Sequence, residues 1–157
     1  MSSISERVMA EVVRRLGLIS TASGYYTDAG ASVHRARASF EVDALPAISV
    51  WDAGEQPINS TGSGRSESMT LTLSIDIDAH AEADADETGE VLGLLKADVK
   101  KALLDRSGYA DGDGNLGLVA YVGGLAQPRP DGGSSEAYRV SIAVVIQEAF
   151  GNPDIVK

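Results

Sequence analysis

Ile4, Val8, Val12 and Leu16 recur every four residues, which lines them up on one stripe of an α-helix. Ser3-Ile4-Ser5-Glu6 has the form of a capping box, and Gly17 is a natural stop. The pattern predicts a helix over about 4–16, with Arg7, Glu11, Arg14 and Arg15 on a face left to solvent or a partner. A loop rich in Ser, Thr, Gly and Asp follows over 20–30, with Tyr25-Tyr26 as anchors on the protein's own surface. Val33 to Val42 alternates as an extended segment, with Val33, Arg35 and Arg37 on one side and His34, Ala36, Ala38 and Phe40 on the other. Ala47 to Trp51 reads as a short strand beginning just after Pro46, where a strand tolerates proline. Residues 54–68 offer almost nothing to bury and predict a mobile surface loop.

The clearest strand is 69–79, where Met69, Leu71, Leu73, Ile75 and Ile77 alternate with Thr70, Thr72, Ser74, Asp76 and Asp78. The alternation continues as His80, Glu82, Asp84 and Asp86, so an extended chain would carry a row of acids along one edge. Asp84 with Glu87 can cap a second helix, whose face is Val91, Leu92, Leu95, Val99, Ala102 and Leu103, ending near Asp105. Gly89 and Gly93 each cost about 1 kcal/mol relative to alanine inside a helix, so its first turns pack closely or it starts later. Residues 107–114 predict a turn region, and 116–125 a strand interrupted by Gly123-Gly124. Residues 127–135 predict an exposed loop. Over 137–150 a long strand carries Tyr138, Val140, Ile142, Val144 and Ile146 on one face and Ala143 and Val145 on the other, as in a central strand covered on both sides. The tail 151–157 is expected to be loose or to serve in docking. Together these elements predict a single α+β domain over 1–157. Its mixed, mostly antiparallel sheet has four to five strands, with two amphipathic helices packed on one face.

Composition narrows the function. With 13 Lys and Arg against 23 Asp and Glu in 157 residues, the formal net charge is −10. That balance disfavours a protein that grips a phosphate backbone, which requires basic side chains to displace counterions. There is no cysteine, which excludes disulfide scaffolds, thiolate nucleophiles and cysteine-bearing zinc sites. Charged residues interrupt the first twenty positions, so no signal-peptide core or membrane span is expected.

Candidate chemical motifs fail on context. Gly112, Gly114 and Gly117 match a dinucleotide-binding glycine pattern, but a helix precedes them and a strand follows, the reverse of what that motif needs. Asp111, Asp113 and Asn115 imitate the start of a calcium loop, yet Leu116 and Val122 stand where the glycine and the bidentate glutamate belong. His34 and His80 fall on separate strands without metal-ligand spacing, and neither a nucleophile elbow nor a phosphate-loop lysine occurs. No catalytic residue, metal site or cofactor is expected.

The order of elements resembles the tail terminator, or tail completion, proteins of long-tailed bacteriophages. The resemblance spans nearly the whole chain through weakly specific local patterns. These are the N-terminal amphipathic helix, the segment Val33-His34-Arg35-Ala36-Arg37, and Leu45-Pro46-Ala47-Ile48-Ser49-Val50 with Glu55 behind it. The Gly/Ser loop, the strand Thr70 to Ala79 and the helix Leu95-Lys96-Ala97-Asp98-Val99-Lys100-Lys101-Ala102-Leu103 follow, then the strand Tyr138 to Phe150 with its Gly-Asn-Pro-Asp tail. The resemblance implies a non-enzymatic homohexameric ring that caps the tail tube at the neck of the virion. Such a ring ends tube polymerisation, meets the head-side connector or neck protein, and lets DNA pass as cargo.

Charge and position supply the candidate residues. A negative lumen would let DNA slide without holding its phosphates, which makes Asp76, Asp78, Glu82, Asp84 and Asp86 candidate channel-lining acids. A solvated outer face is the other reading of that row. Arg35 and Arg37 are candidate intersubunit ion-pair donors. Gly54, Gln56, Arg65, Arg129 and Asp131 mark candidate partner-binding loops. Two further readings stay open: another neck or head–tail joining protein, and a ligand-binding or carboxylate-based enzymatic domain with a concave polar pocket.

Overall fold

A computed structural model describes residues 2–58, 64, 67–83, 86–129 and 132–156. Helix α1 (Ile4–Leu16) has the bounds its apolar stripe predicts, and the Ser3 hydroxyl accepts the Glu6 amide at its N-terminus. The chain then makes two short 3₁₀ turns, Thr21–Ser23 and Ala29–Ala31, before strands β1 (Val33–Arg35), β2 (Ala47–Pro57) and β3 (Ser68–Glu82). Helix α2 (Thr88–Leu103) and strands β4 (Tyr109–Asp111), β5 (Gly114–Gln127), β6 (Ser135–Ala149) and β7 (Asn152–Val156) complete it.

The seven strands form one sheet in the order β1-β2-β3-β6-β5-β4, with β7 added to β6. The β1–β2 pair is parallel and every other pair is antiparallel. The expected α+β fold with four to five strands is overturned: strand makes up 46% of the structure against 26% helix, in a seven-stranded sheet curled into a half-barrel. The two uncounted strands are β4, inside the expected turn region, and β7, inside the expected loose tail. Both are short and gain their stability from a neighbour's backbone, so neither has a periodic signature of its own. Register shifts at Asp52/Gly54 in β2 and Tyr121/Gly123 in β5 are bulges, which raise local twist and help long strands curl.

Other boundaries move as well. The extended segment from Val33 stops at Arg35, Ala36 takes a φ of 52°, and the chain turns through Val42–Ala44. Strand β2 runs through Gly54, Glu55 and Gln56 to Pro57, because β3 offers a partner at each position, so the expected loop at 54–68 begins later. Helix α2 starts at Thr88, later than a cap at Asp84 would place it, but it still contains Gly89 and Gly93, around which an added Cβ meets nothing within 4 Å, and its N-cap Glu87 makes no side-chain cap bond.

The core lies between the helices and one face of the sheet. Ile4, Val8, Val12 and Leu16 of α1 and Leu95, Val99 and Leu103 of α2 are buried with Ile75 and Ile77 of β3 and Val140, Ile142, Val144 and Ile146 of β6. Fully burying each such aliphatic side chain contributes about 1.5–3 kcal/mol before entropy is counted. Strand β6 is central, but its second face is open, with Val145 and Gln147 exposed. No described helix is long and apolar enough to cross a membrane.

Candidate assembly surfaces

The face of the sheet opposite the helices gathers the polar side chains of β2, β3 and β6. Asp76 and Asp78 alternate with core residues on β3, and register sets them opposite Ser141 and Arg139 of β6. Arg139 donates from Nε and Nη2 to the two carboxylate oxygens of Asp78 at 2.7 and 2.9 Å, while its Nη1 lies 3.5 Å from Asp76. The Ser141 hydroxyl donates to Asp76 at 2.7 Å. These two acids are therefore engaged inside the sheet, and Asp78 is buried. The flanking carboxylates hold Arg139 above its ordinary pKa, chiefly through the Asp78 hydrogen bond. Glu82, at the end of β3, and Asp86, just before α2, are exposed. Asp84 lies outside the described residues, as do Arg65 and Asp131.

Beyond Asp78 the same face is covered by the chain's own segment 36–45. Phe40 is buried there, 4.9 Å edge-on from the His80 ring and 5.4 Å from His34, with the Arg37 guanidinium 4.8 Å above it. The Ser134 hydroxyl donates to the Phe40 carbonyl at 2.6 Å, and the Arg37 amide donates to Ser49 Oγ at 2.9 Å. His80 Nδ1 lies 3.2 Å from Ser135 Oγ, while Nε2 is buried without a hydrogen-bond partner. Burial pushes the His80 pKa down, only partly opposed by the Asp78 charge, so the ring stays neutral at physiological pH. A hollow lined by Trp51, Asp78, His80, Gln127, Ser135 and Arg139 opens beside this cluster, its carboxylate already paired.

Arg35 and Arg37 part company. Arg35 forms an ion pair with Glu6 of α1, whereas Arg37 stacks on Phe40 and donates to the Ser39 carbonyl at 3.1 Å. Both have partners within their own chain. Of the partner-loop candidates, Gly54 sits at the β2 bulge with a φ of 115°, Gln56 is exposed on β2, and Arg129 is exposed just after β5.

The charged face of α1, expected to be open, is used internally. Glu11 is buried beneath Arg14 and Arg15, which donate to its carboxylate at 2.7–2.8 Å and lower its pKa. Arg15 also reaches Asp105 and lies over the Tyr109 ring. Arg7 grips Asp111 with two 2.7 Å bonds and holds that carboxyl at about 2. Asp98 of α2 is fully buried and accepts from the Tyr26 and Thr27 amides and the Thr27 hydroxyl at 2.8–2.9 Å, pinning the 20–30 loop to the helix. Neither Arg139 nor Asp98 stands out in sequence; an acid on the apolar stripe of α2 was the one available signal.

No family model and no curated protein matches the chain. Among solved structures, a chain in "Virion of native gene transfer agent (GTA) particle" superposes with a TM-score of 0.54 at 13% identity, covering 87% of this chain and 92% of that one. The two chains share a fold. At that identity the likeness concerns the fold alone, and it extends over nearly the full length of both.

Proposed function

We propose that this protein is a non-enzymatic structural subunit of a phage-like virion, and more specifically a tail terminator. In this reading six copies form a ring that caps the tail tube, ends its polymerisation, presents a surface to the head-side connector or neck protein, and leaves a channel for DNA. The observation that carries the reading is the fold shared with a chain of the gene transfer agent virion over 87% of this chain. The element order supports the same conclusion.

The physics of the residues refines the proposal. Asp76 and Asp78 share Arg139, so they bring one net negative charge rather than two to whatever they face. Glu82 and Asp86 are exposed and are the stronger candidates among the described acids for repelling DNA phosphates from a channel wall. Arg35 can exchange its exposed Glu6 partner for a neighbour's carboxylate at little cost, because exposed ion pairs contribute only about 0–1 kcal/mol. Arg37, held over Phe40, is the weaker intersubunit candidate.

Light scattering over a concentration and salt series, alone and with tail-tube subunits, tests the reading. The expected result is a sixfold mass, or a monomer that becomes a ring on tube ends and limits tube length. A monomer or dimer that ignores tubes would shift the assignment to another neck or head–tail joining protein.

A further inference from the structure

Strand β4 covers β5 only along Gly114–Gly117. From Leu118 to Gln127, β5 pairs with β6 on one side and with no other strand. Among the described residues, the hydrogen bond reaching this backbone from outside the sheet ladder is the Gln127 side-chain amide on the Leu125 carbonyl, at 3.5 Å. About half of the amides and carbonyls along such an edge point outward, ready to pair with another strand.

The opposite side of the sheet manages its edge differently. Beyond β1, strand β2 is bulged at Asp52/Gly54, the Asp52 carboxylate takes the Gly54 amide at 3.0 Å, Glu55 adds charge, and Pro57 has no amide to offer. Bulges, charges and proline are the devices that keep an edge from pairing. The β5 edge carries one of these devices, the bulge at Tyr121/Gly123, but neither charge nor proline over its ten residues, Leu118-Val-Ala-Tyr-Val-Gly-Gly-Leu-Ala-Gln127. It also exposes Leu118, Val122 and Leu125 by 63–67%. Left uncovered, an uncharged apolar edge is an aggregation hazard.

We propose that Leu118–Gln127 is the edge at which this chain pairs strand to strand with a second copy of itself. Charge favours this edge as the meeting place for that occupant: copies carrying −10 repel wherever their acids meet, and this acid-free strand is a place where two can approach. In the ring the contact is head to tail, this edge meeting a different strand edge of the next copy, since an edge paired with its own counterpart would close a twofold dimer instead. The sheet then continues across the boundary between copies, and Leu118, Val122 and Leu125 lose their solvent exposure there. The inference deepens the ring reading, on which it rests for the identity of the occupant.

The test combines hydrogen exchange by mass spectrometry with light scattering on the full chain, alone and with tail tubes, for the natural sequence and for Val122→Lys and Leu125→Lys. Both side chains are exposed, so the substitutions leave the subunit core intact, which circular dichroism verifies. The expected result is slowed exchange at 118–127 on assembly, and association on the order of tenfold weaker or more in each variant. Assembly with 118–127 exchanging as in the monomer, or undiminished in both variants, overturns the edge proposal and leaves the ring reading standing. Protection of the edge by a different virion protein, with this chain present as a single copy, also overturns it. A chain that stays monomeric with and without tubes overturns both.

Discussion

Arg139 and Asp78 stand opposite one another on β6 and β3, joined by two hydrogen bonds of 2.7 and 2.9 Å across 61 residues of sequence. The pair decides how much charge the open face carries. Arg139→Gln would leave the buried Asp78 without its guanidinium. The expected loss is about 1–3 kcal/mol, below the full cost of severing a buried pair because the Arg139 side chain is one-third exposed. The double variant Arg139→Gln with Asp78→Asn should recover most of that loss. Urea denaturation of the single and double variants measures the coupling, and simple additivity would contradict it.

Stability should depend on pH in two windows. Folding lowers the His80 pKa through burial, so its contribution is full above the unfolded value of about 6.5 and is lost as pH falls below it toward the folded value. Folding also lowers Asp111, from 3.8 to about 2 beside Arg7, so that contribution is full above 3.8 and disappears as pH falls toward 2. His80→Gln should flatten the upper limb and Arg7→Gln the lower one. Urea midpoints from pH 8 to 2.5 check both; a midpoint that rises on acidification from pH 7 to 5 would contradict the first.

Gly117 and Gly123 both lie on β5 and predict opposite outcomes. A Cβ at Gly117 would sit 2.3 Å from the Val145 carbonyl oxygen, where only backbone movement relieves the clash, whereas a Cβ at Gly123 meets nothing within 4 Å. Gly117→Ala should destabilise by about 1–3 kcal/mol or more. Gly123→Ala should stay within about 0.5 kcal/mol of the natural protein. Thermal melts of the two variants separate these cases, and equal melting temperatures would refute the packing argument.

The elements legible in sequence are those whose own residues supply the driving force. Helix α1 carries a full apolar stripe, a capping serine and a terminating glycine, and it folds with the predicted bounds. Strand β3 carries its alternation from Met69 to Ile77, and those side chains form the floor of the core. Strands β4 and β7 were not legible, because three and five residues with no periodicity become strands only when β5 and β6 present a backbone to them. The reach of β2 through Gln56 to Pro57 has the same origin in β3. Along β6, Ala143 and Val145 suggest a cover on the second face, yet both helices pack on the other side.

The candidate residues divide along the same line. By itself the sequence determined the acidic balance, the lack of cysteine chemistry, two amphipathic helices and the alternation that puts Asp76 and Asp78 on one face of β3, because these follow from residue type and local spacing. Only the tertiary structure decided that Arg139 occupies those acids, that Glu11 and Asp98 are buried and engaged, and that β5 is left with an open edge. Each of those outcomes depends on which distant segment lies alongside, and side-chain pairing and strand register across tens of residues are set by packing of the whole sheet rather than by any local pattern.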